Sequence, residues 1–195
     1  MHCNGYKALA SRKIKQGAGF HQPNVHKPVV ADSPAIEVMT DLQQVAVATT
    51  TIDASLAKAT QTMISRGVRL LLVMDADGQL AGLITARDTM GERPIQYIRE
   101  RGGKHAELTV RDCMTALADI DVMTMKDVRA AKVGHIVSTL ETAGRQHALV
   151  VDELDGEEMV RGIFSITQVG RQLGVGLQAF EVAHTFAEIR AALAA

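Results

Sequence analysis

The sequence predicts an α+β fold: two pseudo-symmetric β-α-β-β-α units packed as one module, with an N-terminal basic arm and a C-terminal helix. Three observations carry this. With Gly67 laid on Gly144, a shift of 77 residues, RGVRLLLVMD (66–75) falls on AGRQHALVVD (143–152), apolar on apolar through a buried strand. The same shift lays the helical spacing of Leu56, Ala59 and Met63 on Val133, Ile136 and Leu140. Finally, the corner GLITARD (82–88) returns as GIFSITQ (162–168).

Along the chain, residues 1–31 hold Lys7, Arg12, Lys13, Lys15 and Lys27, and the first acid is Asp32. Residues 1–35 therefore read as a basic arm, flexible or docking: a solvated tail, a segment lying on a dimer partner, or a site for an acidic partner. No aromatic interleaving supports base stacking, so nucleic acid binding is not expected. Unit one spans 36–91 and unit two 110–175. VAVAT (45–49) falls on VMTMK (122–126) at the same shift, and both alternate as half-buried strands do. VMT (38–40) and CMT (113–115) open the two units. DADGQLAG (75–82) becomes DELDGEEMVRG (152–162), placing three extra residues in a turn rich in Asp and Gly. A unit of this size cannot bury its sheet alone, and a pair shares a core.

Residues 92–109 read as a charged connector, with a short helix that Pro94 can start and Gly102-Gly103 can end. Residues 176–195 close the chain. Thr185-x-x-Glu188 is a capping box there, and Phe186, Ile189 and Leu193 share one helix face.

Composition sets broad limits. Apolar residues make up 47% and charged residues 22%, as in ordinary globular proteins. Aromatics are only 3%, so the core rests on aliphatic side chains, and nine methionines join it. A net charge of −1 gives no global field for nucleic acid or membrane. Two cysteines without a metal-binding pattern fit a reducing compartment, and no apolar run approaches the ~18 residues of a membrane span. The start has no apolar signal-like segment, so the cytoplasm is expected.

At the corner, Thr85 stands at a helix entrance with Asp88 at the third position, the spacing of a capping box; Ser165 and Gln168 satisfy the same rule. A helix entrance is also an anion site, and a nearby carboxylate can accept bonds from ribose hydroxyls. A strand ending in G-h-h-T-x-x-D, within a unit that occurs twice in register, resembles the cystathionine β-synthase (CBS) domain. The tandem resembles a Bateman module over roughly residues 36–175.

That resemblance implies two clefts between the repeats, commonly for adenine nucleotides or related adenosyl ligands. In one, Thr85 and Asp88 take phosphate and ribose, facing Val122, Arg145, Gln146 and His147, with Arg69 near the phosphates. In the other, Ser165 and Gln168 face Thr40, Val45, Val68, Arg69 and Leu70. Gln168 departs from the family pattern, and the two clefts are expected to be unequal. From the residues alone, His147 is either a polar strand start or a ligand contact. Arg69 is a contact or a solvated rim, and Arg87 a surface residue or part of the corner.

The expected function is a non-catalytic regulatory module. It binds AMP, ADP, ATP or another adenosyl compound, needs no catalytic cofactor, forms a homodimer and signals to a separate effector protein. Dimerisation is expected through helices with apolar faces such as Leu56/Ala59/Met63. The alternative is a dimerisation scaffold whose clefts are vestigial. An enzyme is not expected: there is no P-loop and no nucleophile beside an evident base. GVGLQA (174–179) follows an apparent helix rather than the strand that a dinucleotide fingerprint needs.

Overall fold

The computed structural model describes residues 9–21, 29–175 and 182–194, with side chains of the last segment from Phe186 to Leu193. Lys7, Lys27, GVGLQA from residue 176 onward and the Thr185 side chain lie outside the described residues. The strands are β1 (Thr40–Asp41), β2 (Thr49–Thr51), β3 (Leu70–Met74), β4 (Leu80–Thr85), β5 (Thr115–Ala116), β6 (Val122–Thr124), β7 (His147–Leu154) and β8 (Glu157–Ser165). The helices are α1 (Leu56–Arg66), α2 (Ala86–Met90), α3 (Glu92–Arg101), α4 (Val110–Cys113), α5 (Met125–Ala130), α6 (Val133–Thr142), α7 (Ile166–Gln172) and α8 (Val182–Ala194).

Two four-stranded sheets result, in the orders β2-β3-β4-β5 and β1-β8-β7-β6. In each, a short strand runs parallel to the central strand, which then turns back through a hairpin. The register repeats closely. Leu70 faces Thr85 as His147 faces Ser165, and both hairpins shift register just after the residue opposite their glycine, at Val73/Met74 and Val150/Val151.

Helix α1 forms because Ser55 caps it, accepting from the Lys58 N–H at 3.2 Å, and ends at Gly67, whose φ of 63° suits the left-handed turn. It buries Leu56, Ala59 and Met63. Those three side chains are at most 3% exposed, so the face expected to dimerise is instead the inner face of the first repeat. α6 buries Val133, Ile136, Val137 and Leu140 in the second repeat.

The first strands correct the sequence alignment. Thr49 pairs with Leu72 and Val122 with Leu149, so Thr49, not Val45, is the counterpart of Val122. The cause is local. Thr124 caps an additional helix, α5, its hydroxyl accepting from the Asp127 N–H at 3.1 Å, and this lengthens the path from β6 to α6. The hairpin insertion also differs from expectation. β7 and β8 have 8 and 9 residues where β3 and β4 have 5 and 6, so the extra chain extends the strands. The turn itself is Asp155-Gly156, both at positive φ, as a tight two-residue hairpin demands.

The two opening tags are exchanged between repeats. β1 pairs with β8 (Thr40 opposite Ile163), and β5 pairs with β4 (Thr115 opposite Leu83). Ala35, Val38 and Met39 join the core of the second repeat, while Leu108, Val110 and Cys113 complete that of the first. An ion pair between Arg161 on β8 and Asp41 on β1, both largely buried, locks one exchange. The exchange explains the glycine of each corner: Gly82 lies opposite Ala116, and Gly162 opposite Asp41. A Cβ on Gly82 would come within 2.2 Å of the Thr115 carbonyl oxygen, and one on Gly162 within 2.4 Å of the Met39 sulfur. A third core, built on Leu70, Leu72 and Leu149, joins the two sheets.

The end of the arm docks onto the second repeat. Ser33 and Ala31 carbonyls accept the Val133 and Gly134 N–H groups at 2.9 and 3.0 Å, and Lys132 pairs with Asp32 at 2.6 Å. These carbonyls satisfy amides that α6 leaves open at its start. Residues 9–21 are exposed throughout. α8 seats Phe186 and Ile189 in the second core as their spacing predicted, but starts at Val182, so Thr185 lies inside the helix rather than at its cap.

Candidate functional site

The two corners share a backbone plan. The Ala86 N–H donates to the Arg69 carbonyl at 3.0 Å, and the Ile166 N–H to the Gln146 carbonyl at 2.9 Å. Their side chains then diverge. Asp88 Oδ2 accepts from the Thr85 N–H at 2.8 Å and from the Thr85 hydroxyl at 2.7 Å, and the Thr85 oxygen in turn accepts from the Asp88 N–H at 3.4 Å. That is the expected capping box. At the second corner Ser165 makes no capping bond, against expectation. Gln168 has no carboxylate for the Ser165 N–H and hydroxyl to share, and its side chain lines a separate cleft.

The larger cleft has a volume of about 900 Å³ and opens between the first corner and the start of β7. Thr85 and Asp88 line one side, and Arg145, Gln146 and His147 the other. The two repeats meet there because β4 ends at Thr85 on the rim of one sheet while β7 begins, at His147, on the rim of the other. Val122 does not reach the lining; Ile120 and Asp121 stand there instead, because β6 turns Val122 out to 40% exposure. Nor does Arg69 line it. Its Nη1 donates to Thr167 Oγ1 at 3.1 Å and its Nη2 to Gln146 Oε1 at 3.3 Å, bridging the module to the second corner. Arg69 and Gln146 are counterparts at the shift of 77, so this contact crosses the pseudo-twofold axis.

Sequence reasoning missed one wall. The connector helix α3 lies along the cleft and contributes Arg93, Gln96 and Tyr97. It ends at Gly102 as predicted, with Pro94 buried in its first turn. Arg93 Nε stands 3.3 Å from Asp88 Oδ1, while its Nη1 donates to the Cys113 carbonyl at 2.9 Å and to Thr115 Oγ1 at 3.2 Å. A further missed group is Asp112, at the end of TVRD (109–112). This segment copies TARD (85–88): Asp112 Oδ2 accepts from the Thr109 N–H and hydroxyl, both at 2.8 Å. The repeated T-x-R-D was the signal available in the sequence.

The titrating groups have clear causes. Burial works to raise the Asp112 carboxyl, but bonds from the Thr109 backbone and the Tyr97 hydroxyl outweigh it and leave the net shift downward. The bond to Asp112 raises the Tyr97 phenol, and Arg101 lies 5.4 Å above the Tyr97 ring. Burial raises the Cys113 thiol, leaving it a small core side chain rather than a nucleophile. Burial, then the Arg69 charge, push the His147 imidazole down to about 4, so it is neutral at neutral pH. Among the described residues, no group of three or more His, Cys, Asp or Glu is placed to hold a metal.

The smaller cleft, about 360 Å³, is lined by Gln168 with Thr40, Val45 and Met39 among others. Ser165, Val68, Arg69 and Leu70 are not part of it. Leu70 lies in the core between the sheets, and Val68 packs on the core of the first repeat. The clefts are therefore unequal in volume as well as in charge.

Two exchanged α+β repeats, with a cleft between the corner of one and the strand start of the other, have the architecture of paired CBS domains. Residues 35–93 match the CBS domain family model, and the chain has the fold of paired CBS domains. Among solved structures it is similar to an uncharacterized conserved protein from Pyrococcus horikoshii, at 19% identity over 76% of this chain and 98% of that one, with a TM-score of 0.53. It is also similar to the CBS-domain containing protein ATU1752 from Agrobacterium tumefaciens, at 20% identity, 76% and 98% coverage and a TM-score of 0.52. A third is the CBS domain protein TA0289 of unknown function from Thermoplasma acidophilum, at 20% identity, 79% and 76% coverage and a TM-score of 0.50. At these identities the likeness concerns the fold. No curated protein matches the sequence.

Proposed function

We propose that this chain is a non-catalytic regulatory module that binds an adenosyl ligand in the larger cleft and signals its occupancy to a separate effector protein. One observation carries the reading. The corner of one repeat, Thr85 and Asp88, and the strand start of the other, Arg145 to His147, line a single preformed cleft of about 900 Å³. That volume lies within the range of small-molecule sites. A ligand touching both repeats changes how they sit together only if it binds one arrangement better, and the two sheets joined through Leu72 and Leu149 offer such an element.

Homodimerisation belongs to the same proposal, through the exposed Ile64, Met90 and Ile95 on the three helices α1, α2 and α3. So does a cytoplasmic setting. No helix among the described residues is long and apolar enough to cross a membrane.

A scaffold with vestigial clefts is the second reading, and one observation favours it: the Asp88 carboxylate is already engaged by Thr85 on one oxygen and by Arg93 on the other. A melting screen against adenosyl compounds separates the two. Ligand at ~100 times its Kd adds about 2.7 kcal/mol, or roughly 5–10 °C for a chain of this size. A scaffold shows no shift with any of them, and turnover of a compound would instead reveal an enzyme.

A further inference from the structure

The larger cleft is acidic. Its lining carries six carboxylates, on Asp88, Glu92, Glu100, Asp112, Asp119 and Asp121, against three guanidiniums, on Arg87, Arg93 and Arg145. Two of those cations are already paired: Arg93 with Asp88 at 3.3 Å, and Arg145 with Asp121 at 3.1 Å. Arg87 alone among them has no carboxylate partner among the described residues. The next cation inward, Arg69, directs two nitrogens at Thr167 and Gln146. His147 adds no charge at neutral pH, and no described cluster is placed to hold a metal that would offset the carboxylates.

We propose, resting on the adenosyl reading of this cleft, that it selects a ligand bearing at most one phosphate and turns away nucleoside di- and triphosphates. Charges lining a concave surface focus their field into it, and each acts over a Debye length, about 8 Å at physiological salt. One phosphate finds Arg87. A second or third has no unpaired guanidinium to meet and lies among an excess of carboxylates. A cleft potential of a few kT weakens binding by roughly tenfold for each added phosphate.

The test is titration calorimetry of the full chain with adenosine, AMP, ADP and ATP in magnesium-free buffer, at low and physiological salt. Adenosine and AMP are expected to bind comparably, ADP and ATP progressively more weakly, and the gap is expected to narrow as salt screens it. The double variant Asp119→Asn/Asp121→Asn removes two exposed carboxylates and frees Arg145; it should raise ATP affinity several-fold more than AMP affinity. ATP binding the unaltered chain as tightly as AMP overturns the charge rule while leaving the adenosyl reading intact. An ATP-to-AMP ratio unmoved by the double variant also overturns the rule. Binding by none of the four compounds overturns the adenosyl reading, and the rule falls with it.

Discussion

Arg93 Nε lies 3.3 Å from Asp88 Oδ1, so the carboxylate proposed to grip a ribose already holds a guanidinium. Arg93 is 47% exposed, and an ion pair so open to water contributes at most about 1 kcal/mol. A ribose can displace it. Arg93→Ala is therefore expected to tighten adenosine binding about two- to fivefold, because the ligand no longer competes for Oδ1. Calorimetry with adenosine, which carries no phosphate, reads this directly; weaker binding in the variant would show that Arg93 touches the ligand instead.

The exchanged tag strands yield a stability prediction. Arg161 and Asp41 are 15% and 16% exposed, and removing one leaves the other charged and largely dry. Arg161→Ala should destabilise the module by about 3 kcal/mol, roughly 6–12 °C in melting temperature. An unchanged melting curve would show that β1 does not depend on this pair.

The two corner glycines are not equivalent. Gly82→Ala sets a methyl group against backbone, 2.2 Å from the Thr115 oxygen, whereas Gly162→Ala meets the flexible side chain of Met39. Gly82→Ala is expected to cost at least about 2 kcal/mol, in the range of severe overpacking, and Gly162→Ala about 1 kcal/mol or less. Denaturant unfolding of both variants checks the order of the effects.

Folding should depend on pH through His147. Its folded pKa of about 4 lies below the ordinary 6.5, so between these values the unfolded chain binds a proton that the folded chain refuses. Stability accordingly falls as pH drops through that window, by at most about 3 kcal/mol once the folded group also titrates. His147→Gln removes this component. If the wild-type and variant stability profiles run parallel from pH 7 to 4, the histidine is not buried as described.

Much of this was legible in the sequence, for identifiable reasons. Phe186 and Ile189 announced a buried face because helical periodicity is local; Leu56, Ala59 and Met63 announced an apolar face in the same way, but periodicity does not say that the repeat's own core, and not a second chain, covers it. The Asp88 corner was legible because its capping box needs only four consecutive residues. The register of β2 was not, because α5 adds chain between strand and helix without disturbing the apolar pattern on either side. The Arg93 wall was hidden for another reason: only the packed fold brings a connector helix back over the corner that precedes it. Ser165 failed as a cap because capping depends on which way its partner's side chain turns, and Gln168 turns to another cleft.

The most direct test is calorimetric stoichiometry for adenosine and AMP on the wild-type chain and on Asp88→Asn, with the variant's fold verified by circular dichroism. Asn keeps the shape of Asp88 but not its charge, so the cap weakens by about 1 kcal/mol while the charge-assisted bonds to ribose, about 1.5–3 kcal/mol, are lost. The account predicts one tight site per chain in the wild type and none in the variant. Gln168→Asp, in the smaller cleft, leaves the first site as it was. Tight binding that survives Asp88→Asn in a folded chain would contradict the assignment of the larger cleft as the ligand site.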